Sequence, residues 1–263
     1  MLTLPDGPVG REVSMKRLAA ITLVSVAVAG GGSAASAQEV PVDLELVLAV
    51  DVSGSIDGDE ATQQREGYLA ALPDPAVIQA IHSNFHGRIA VVYVEWASAD
   101  YQRVVVDWTL IEDEKTAQAF TEALGEAPPL SARWTSISAA IDFAVPLFEA
   151  NGYAGDRRVI DVSGDGPNNR GRAVTAARDA AVAKGIVING LPILNDNPQP
   201  FDLPTPVEMV LDRYYTENVI GGPGSFVIPA QDFTDFRSAI LSKLIREIAG
   251  APPTPARRLA AAR

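Results

Sequence analysis

The sequence contains no cysteine, which excludes disulfide bonds, thiolate metal sites and a cysteine nucleophile. Only two histidines occur among 263 residues, so a serine-type catalytic triad would have to draw its base from that pair. No segment beyond the first 37 residues approaches the run of about 18 apolar residues that a membrane-spanning helix needs. The ordinary apolar content, with moderate glycine and proline, suits one globular α/β domain or at most two small ones.

Basic residues are also scarce relative to acidic ones. The chain has 21 Lys and Arg against 33 Asp and Glu, a formal net charge of −12. This balance argues against a nucleic-acid partner, whose phosphates would be repelled, and against anionic membrane surfaces. It is compatible with a soluble exported protein.

Residues 1–37 predict an export signal. Two basic residues precede an apolar stretch from Leu18 to Ala29, and a small-x-small cleavage pattern follows at 35–37. The mature chain is expected to begin near Gln38, in the periplasm or outside the cell, with no stable membrane span after cleavage. An uncleaved anchor is the alternative. The residues before Met15 fit no part of a signal, so Met15 is a candidate for the true start.

Short apolar runs rich in β-formers alternate with helical patterns along the rest of the chain. The runs predict central strands at 44–50, 87–98, 158–163 and 185–194, with an antiparallel edge strand at 101–108. Helices are predicted from Asp57 towards Leu72 and at 113–124, 136–150, 170–184, 206–217 and 231–248.

This alternation predicts a doubly wound α/β domain over 38–250, with a mostly parallel sheet and helices on both faces. The segment 251–263 reads as a disordered C-terminal tail. In such folds the functional crevice lies at the carboxyl ends of the strands, so polar side chains in the loops that follow the strands are the first candidates for a site.

The motif Asp51-x-Ser53-x-Ser55 stands at one of these strand ends. Side chains two positions apart on an extended segment point the same way, so the three oxygens can converge on one point. Gly54 permits the turn. Oxygen ligands without sulfur or imidazole suit a hard divalent cation, Mg²⁺ first, with Mn²⁺ or Ca²⁺ as alternatives. The competing interpretation is a polar turn that only caps the next helix.

Two further oxygen-bearing side chains follow other predicted elements. Asp165 lies in a glycine-flanked turn after the strand at 158–163, and Thr135 lies just before a predicted helix. Taken alone, Thr135 would be interpreted as the N-cap of that helix. Taken together with Asp51, Ser53 and Ser55, these side chains predict an incomplete octahedron of oxygen ligands.

The order of these motifs resembles the von Willebrand factor A domain over roughly residues 42–248. The resemblance implies a metal-ion-dependent adhesion site with five ligands, Asp51, Ser53, Ser55, Thr135 and Asp165. It departs from the commonest pattern by having Ser-Gly-Asp-Gly where Thr-Asp-Gly is more usual. The chain is also similar to an uncharacterised bacterial family of exported A-like domains.

This reading predicts a binding protein rather than an enzyme. The cation would keep a coordination position open for a carboxylate presented by a partner protein or a cell-envelope component. One alternative is a haloacid-dehalogenase-like phosphatase, but Ser53 stands where such an enzyme needs an acid, and Asn169 replaces its late acid. Another is a structural subunit whose metal only ties loops together.

For four other residues we favour an ordinary structural role over a functional one. Glu95 reads as an exposed strand-end acid rather than a carboxylate that supports the metal ligands. His82 and His86, four apart, could bind a metal but are more typical of a helix end beside the stop at Gly87. Trp134 reads as a core residue, although its position beside Thr135 could place it at the rim of the site.

Overall fold

The computed structural model describes residues 39–128, 131–194, 211–233 and 235–250. The predicted export signal, the C-terminal tail and the first part of the helix predicted at 206–217 lie outside the described residues. Within the described ranges, no helix is both long enough and apolar enough to cross a membrane.

A five-stranded sheet forms the centre of the domain, with strand order β4-β3-β2-β6-β7. All neighbours in this sheet run parallel except β4, which pairs antiparallel with β3. A separate parallel pair joins β1 to β5. The strands are β1 (Val40–Val42), β2 (Leu44–Asp51), β3 (Ile89–Trp96), β4 (Gln102–Ile111), β5 (Tyr153–Gly155), β6 (Arg158–Gly164) and β7 (Val187–Pro192).

The central strand β2 is buried on both faces, as its continuous apolar run indicates. Leu46 and Leu48 pack into one core cluster, whereas Val47 and Ala49 pack into a second cluster on the opposite face. The period-two alternation of a strand therefore supplies both cores from one segment.

Helices cover both faces of the sheet. The α-helices are α1 (Gly58–Ala71), α2 (Pro75–His82), α3 (Glu114–Glu126), α4 (Ile137–Ala144), α5 (Val174–Ala183), α6 (Leu211–Tyr214) and α7 (Phe236–Ala249). A 3₁₀ turn at Val145–Phe148 follows α4, and a π-helical turn at Tyr215–Val219 follows α6. Helices α1, α2, α3 and α7 contribute to the first cluster, and α4 and α5 contribute to the second. The predicted doubly wound architecture with an antiparallel edge strand is confirmed.

Local signals set several element boundaries. Asp57 caps α1 by accepting hydrogen bonds from two backbone N–H groups, and Glu60 accepts one from the Asp57 N–H at 2.9 Å, as the capping-box pattern predicts. The helix predicted at 136–150 ends earlier as an α-helix. Pro146 lacks an N–H group, so the chain continues as the 3₁₀ turn.

The observed strands differ from the predicted ones in two respects. The strand predicted at 185–194 begins at Val187, because Gly185 adopts a φ of +79° in the turn that precedes it. The pair formed by β1 and β5 was not predicted. Each of these strands has three residues, which is too short to show a period-two pattern.

The strand order locates the crevice. The chain leaves β2 towards β3 on one side, whereas β6 lies on the other side of β2, so the carboxyl ends of β2 and β6 border a topological switch point. Asp51 is the last residue of β2, and Asp165 directly follows β6.

Candidate metal centre

Asp51 is fully buried at the carboxyl end of β2. Its Oδ1 accepts a hydrogen bond from the backbone N–H of Ser53 at 2.7 Å, which fixes the turn that leaves the sheet. Its Oδ2 has no hydrogen-bond donor among the described residues. The carboxylate is therefore oriented by the backbone on one side and has one buried acceptor atom left over.

A chain of side-chain contacts joins the first loop to the loop after β6. Ser53 Oγ lies 3.0 Å from Ser55 Oγ, and Ser55 Oγ donates to Asp165 Oδ1 at 2.7 Å. The second oxygen of Asp165, Oδ2, is buried and has no hydrogen-bond donor among the described residues. Residues 110 positions apart in the sequence thus meet above the sheet.

The segment that carries Thr135 is pinned across the strand ends. The Ala132 N–H donates to the Val52 carbonyl at 3.0 Å, and the Ser136 N–H donates to the Ala97 carbonyl at 2.7 Å. The Thr135 hydroxyl lies 3.5 Å from Ser53 Oγ.

The capping interpretation of Thr135 is wrong. Ser136 is the N-cap of α4, and its Oγ accepts from the Ala139 N–H at 3.3 Å. The Thr135 side chain faces the serines instead.

Two asparagines after Asp165 position the Thr135 segment, and the sequence analysis did not assign them this role. Asn169 Oδ1 accepts from the Thr135 N–H at 2.9 Å, and the Asn169 N–H donates to the Thr135 carbonyl at 2.9 Å. Asn168 Oδ1 accepts from the Ser138 N–H at 2.9 Å. The Asn-Asn pair that follows Asp165 and Gly166 was the available signal, because asparagine side chains commonly bond to backbone groups.

Gly164 and Tyr215 pack against the Asp51 side of the site. A Cβ at Gly164 would lie 2.8 Å from Asp51 Oδ2 and 3.0 Å from the Tyr215 hydroxyl oxygen, so any larger residue here would have to displace one of these two side chains. Tyr215 is fully buried in the π-helical turn, and its hydroxyl donates to the Gly164 carbonyl at 3.4 Å. Sequence reasoning missed Tyr215, because nothing in its local pattern distinguishes it from an ordinary core tyrosine.

The two carboxyl groups of the site are electrostatically unfavourable as anions. Burial raises the pKa of Asp51 well above its ordinary value, and the charge of Asp165 raises it further. Burial also raises the pKa of Asp165 to about 6, although the hydrogen bond from Ser55 opposes the shift. Both shifts mean that burial, and for Asp51 also the neighbouring charge, disfavours the ionised form of these carboxyl groups in the absence of a cation.

A hard divalent cation fits this arrangement. Two buried carboxylate oxygens lack donors, three hydroxyls stand beside them, and oxygen is the ligand type that Mg²⁺, Mn²⁺ and Ca²⁺ prefer. A cation would supply the charge that both carboxylates need. The structure brings the five predicted residues together through the contacts given above. That these residues bind a metal stays a prediction.

An aromatic residue stands at the rim of the site. Trp134 is 43% exposed, and its backbone φ of +72° lies in the left-handed region that non-glycine residues rarely adopt. The Arg170 guanidinium lies 3.8 Å from the centre of its ring, and the Arg170 N–H donates to the Thr135 carbonyl at 3.2 Å. The interpretation of Trp134 as a core residue is wrong, and the rim position is the observed one.

Glu95 differs from the favoured prediction. It is 1% exposed rather than an exposed strand-end acid. Arg65 Nη2 lies 2.5 Å and Arg103 Nη2 lies 2.7 Å from its two carboxylate oxygens. Glu95 therefore joins β3 to α1 and β4, and its charge is neutralised by these two arginines.

The two histidines have different surroundings. His82 lies in the last turn of α2 with its Nε2 2.8 Å from the Glu112 carbonyl oxygen, as the helix-end interpretation predicts. His86 lies beyond the helix, close to Asp43 and Asp156.

The comparison with protein families identifies the chain. The family described as "Protein of unknown function (DUF1194)" matches residues 41–252. The chain belongs to this family. The predicted relationship to an uncharacterised family is thereby confirmed. A search of curated proteins found no significant match for this DUF1194 protein.

Solved structures share the fold of this DUF1194 member. Proximal thread matrix protein 1 from the mussel byssus superimposes with a TM-score of 0.56 at 13% identity, covering 80% of this chain and 49% of that one. A second structure of the mussel protein, whose metal-ion-dependent adhesion site motif is occupied by zinc, gives a TM-score of 0.55 at 11% identity, covering 80% and 49%. The pilus adhesin SpaC from Lactobacillus rhamnosus GG gives 0.57 at 14% identity, covering 80% and 31%.

These similarities show the fold, which is of the von Willebrand factor A type, as predicted. The chain spans about half the length of the mussel protein and less than a third of SpaC.

Proposed function

We propose that this protein is an exported, metal-dependent binding domain. In this proposal Asp51, Asp165 and the hydroxyls of the site hold a divalent cation, Mg²⁺ first, and the cation binds a carboxylate on a partner protein or a cell-envelope component. The role is non-enzymatic. When bound, the cation supplies a Lewis-acidic positive charge at the carboxyl ends of β2 and β6.

One observation carries the proposal. Asp51 Oδ2 and Asp165 Oδ2 are buried acceptors without donors, placed beside three hydroxyls at the topological switch point of the sheet. Buried polar atoms in native proteins nearly always have a partner, so these two carboxylate oxygens, together with the three hydroxyls beside them, support a bound cation.

The rim of the site suits an acidic partner. The chain as a whole is strongly acidic, so without a bridging cation it would repel a carboxylate. Arg170 and the exposed face of Trp134 stand next to Thr135, where they offer a positive charge and an aromatic surface to the group that reaches the metal. Tryptophan and arginine, with tyrosine, are the residue types enriched among the side chains that contribute most to binding at protein interfaces.

Isothermal titration of the full chain with Mg²⁺ and Mn²⁺ tests the metal site. Asp51→Asn should weaken binding more than about tenfold, because the amide keeps the shape but removes a charge from the ligand set. Ser53→Ala should weaken binding less, since a hydroxyl contributes no net charge. Asp107→Asn, which changes an exposed carboxylate on β4, is the matched control and should bind as the wild type does. Unchanged affinity in Asp51→Asn would refute the site.

A pull-down from envelope extract, with and without chelator, tests the binding role. The wild type and Asp107→Asn should retain the same partner, whereas chelator, Asp51→Asn or excess acetate should release it. Retention of the partner by Asp51→Asn would contradict a bridging cation. Metal-dependent hydrolysis of a phosphate ester by the wild type, lost in Asp51→Asn, would instead support the phosphatase alternative.

A further inference from the structure

Three side chains of types that can bind a metal meet at the amino-terminal ends of the strands, opposite to the proposed adhesion site. Asp43 precedes β2, His86 precedes β3 and Asp156 precedes β6. These three strands are neighbours in the sheet and run parallel, so the loops before them emerge side by side. One ligand atom from each side chain lies within 4.8 Å of those of the other two.

Asp43 is held in place by backbone groups. Asp43 is 5% exposed, and its two carboxylate oxygens accept from the His86 N–H at 2.8 Å and from the Arg88 N–H at 3.2 Å. Each carboxylate oxygen has a further lone pair, so these bonds orient the group without using its capacity as a ligand. They also fix the position of the His86 backbone relative to the carboxylate.

The distance between His86 and Asp156 is close to that of two ligands that share an ion. His86 Nε2 lies 3.7 Å from Asp156 Oδ2, which is longer than a direct charged hydrogen bond. Two ligand atoms on a tetrahedral zinc ion, each about 2.1 Å from the metal, lie about 3.4 Å apart. The His86 side chain is 19% exposed and that of Asp156 is 59% exposed, so the cluster is open to solvent on one side.

Two arginines nearby are bound to the backbone. The Arg157 guanidinium donates to the carbonyls of Glu247 and Ile248 at 2.8 and 2.9 Å, at the end of α7, and Arg88 Nε donates to the Pro41 carbonyl at 2.9 Å. Their positive charges lower the affinity for any cation. The choice among divalent cations comes instead from the imidazole of His86, a ligand that suits Zn²⁺ better than Mg²⁺ or Ca²⁺.

We propose that Asp43, His86 and Asp156 form a second metal site, for Zn²⁺ or another divalent cation that prefers imidazole. Imidazole nitrogens and carboxylate oxygens are both zinc ligands, and three protein ligands leave a fourth position for water or for a ligand from another molecule. A bound ion ties together the loops before three adjacent strands, and it stabilises the fold by an amount that increases with the logarithm of the free metal concentration above the Kd.

Zinc titration of the full chain, purified without a histidine tag, tests this site separately from the adhesion site. Asp51→Asn should still bind one Zn²⁺ and should melt at a higher temperature when zinc is added. Combining Asp51→Asn with His86→Ala should abolish both effects. Combining it with His82→Ala should leave both intact, because His82 is bonded to the Glu112 carbonyl at the end of α2.

The same sample allows a direct readout, since the chain has only two histidines. In ¹H–¹⁵N spectra of the imidazole groups, Zn²⁺ should shift the His86 signals and leave those of His82 in place. If Zn²⁺ binds equally with and without His86, or does not bind Asp51→Asn at all, the second site is refuted. An ordinary ion pair between His86 and Asp156 predicts that second result. Failure of the wild type to bind Mg²⁺, with Zn²⁺ binding to Asp51→Asn intact, would refute the adhesion site and leave this one standing.

Discussion

Two glycines flank Asp165 and meet different neighbours. A Cβ at Gly164 would lie 2.8 Å from Asp51 Oδ2, whereas a Cβ at Gly166 would lie 3.8 Å from Thr135 Oγ1, an ordinary contact. Neither glycine has a positive φ, so substitution of Gly164 and substitution of Gly166 differ only in the space available for the added side chain. At the scale of single residues, the site depends on a missing side chain as much as on the ligands.

Gly164→Ala should weaken cation binding about tenfold or more, because the added methyl group displaces the Asp51 carboxylate or the Tyr215 ring at a cost typical of overpacking. Gly166→Ala should change the affinity much less. Titration with Mn²⁺ measures both. Equal affinities for the two variants would contradict the close packing of Gly164 against Asp51.

At the scale of elements, Glu95 holds three of them together. It is the penultimate residue of β3, and it pairs with Arg65 of α1 and Arg103 of β4. Arg65 also donates to the carbonyls of Leu124 and Ala127 at the end of α3. Because α1 follows the Asp51 loop, this ion-pair network fixes the helix that carries the chain away from the metal ligands.

Glu95→Ala should lower the free energy of unfolding by about 2–3 kcal/mol, since it leaves two arginines without their anion. This is less than the ~3–5 kcal/mol typical of a buried pair, because the Arg103 side chain is 32% exposed. Glu122→Ala, an exposed acid on α3, is the control and should change stability by less than about 0.5 kcal/mol. Urea unfolding at fixed metal concentration measures both. A loss in Glu95→Ala no larger than in the control would show that the network is not stabilising.

At the scale of the whole molecule, a buried charge cluster joins the sheet to the last helix. Lys243 Nζ of α7 lies 2.5 Å from Asp161 Oδ1 of β6 and 2.5 Å from Glu247 Oε1. Asn189 of β7 donates to the same Glu247 oxygen at 3.1 Å. The cluster has two acids for one base. Burial, followed by the charge of Glu247, raises the pKa of Asp161 to about 7, although Lys243 opposes the shift.

This shift predicts a pH dependence of stability. The folded protein keeps a proton on Asp161 between about pH 4 and about pH 7, where the unfolded chain has lost it, so this group makes stability fall as the pH rises through that window. Asp161→Asn removes the effect. Its stability relative to the wild type should therefore increase from about pH 5 to about pH 8.

Urea unfolding across this range, at one Mg²⁺ concentration for all proteins, measures the change. Asp107→Asn serves as the control, and its difference from the wild type should not vary with pH in the same way. A constant difference between Asp161→Asn and the wild type would mean that Asp161 is ionised throughout.

The fold class and the first metal motif could be predicted from sequence because their signals are local. Continuous apolar runs indicate buried parallel strands, and the Asp51-x-Ser53-x-Ser55 spacing places three side chains on one side of a strand end. The helix start at Asp57 follows from a pattern four residues long. Thr135 and Asp165 are weak signals one by one. They could be included because each lies in a loop beside a predicted strand or helix, and because their order along the chain resembles that of a known family.

Only the tertiary structure decided which residues distant in sequence form ion pairs, hydrogen bonds or a common cluster. The sequence alone predicts Glu95 to be an exposed acid, whereas the fold buries it between Arg65 and Arg103. Asn169 positions Thr135 because the fold places the loop after β6 against that residue. Asp43, His86 and Asp156 show no common pattern along the chain. They meet because three parallel strands start at the same edge of the sheet, and strand order is set by packing across the whole domain rather than by any local segment.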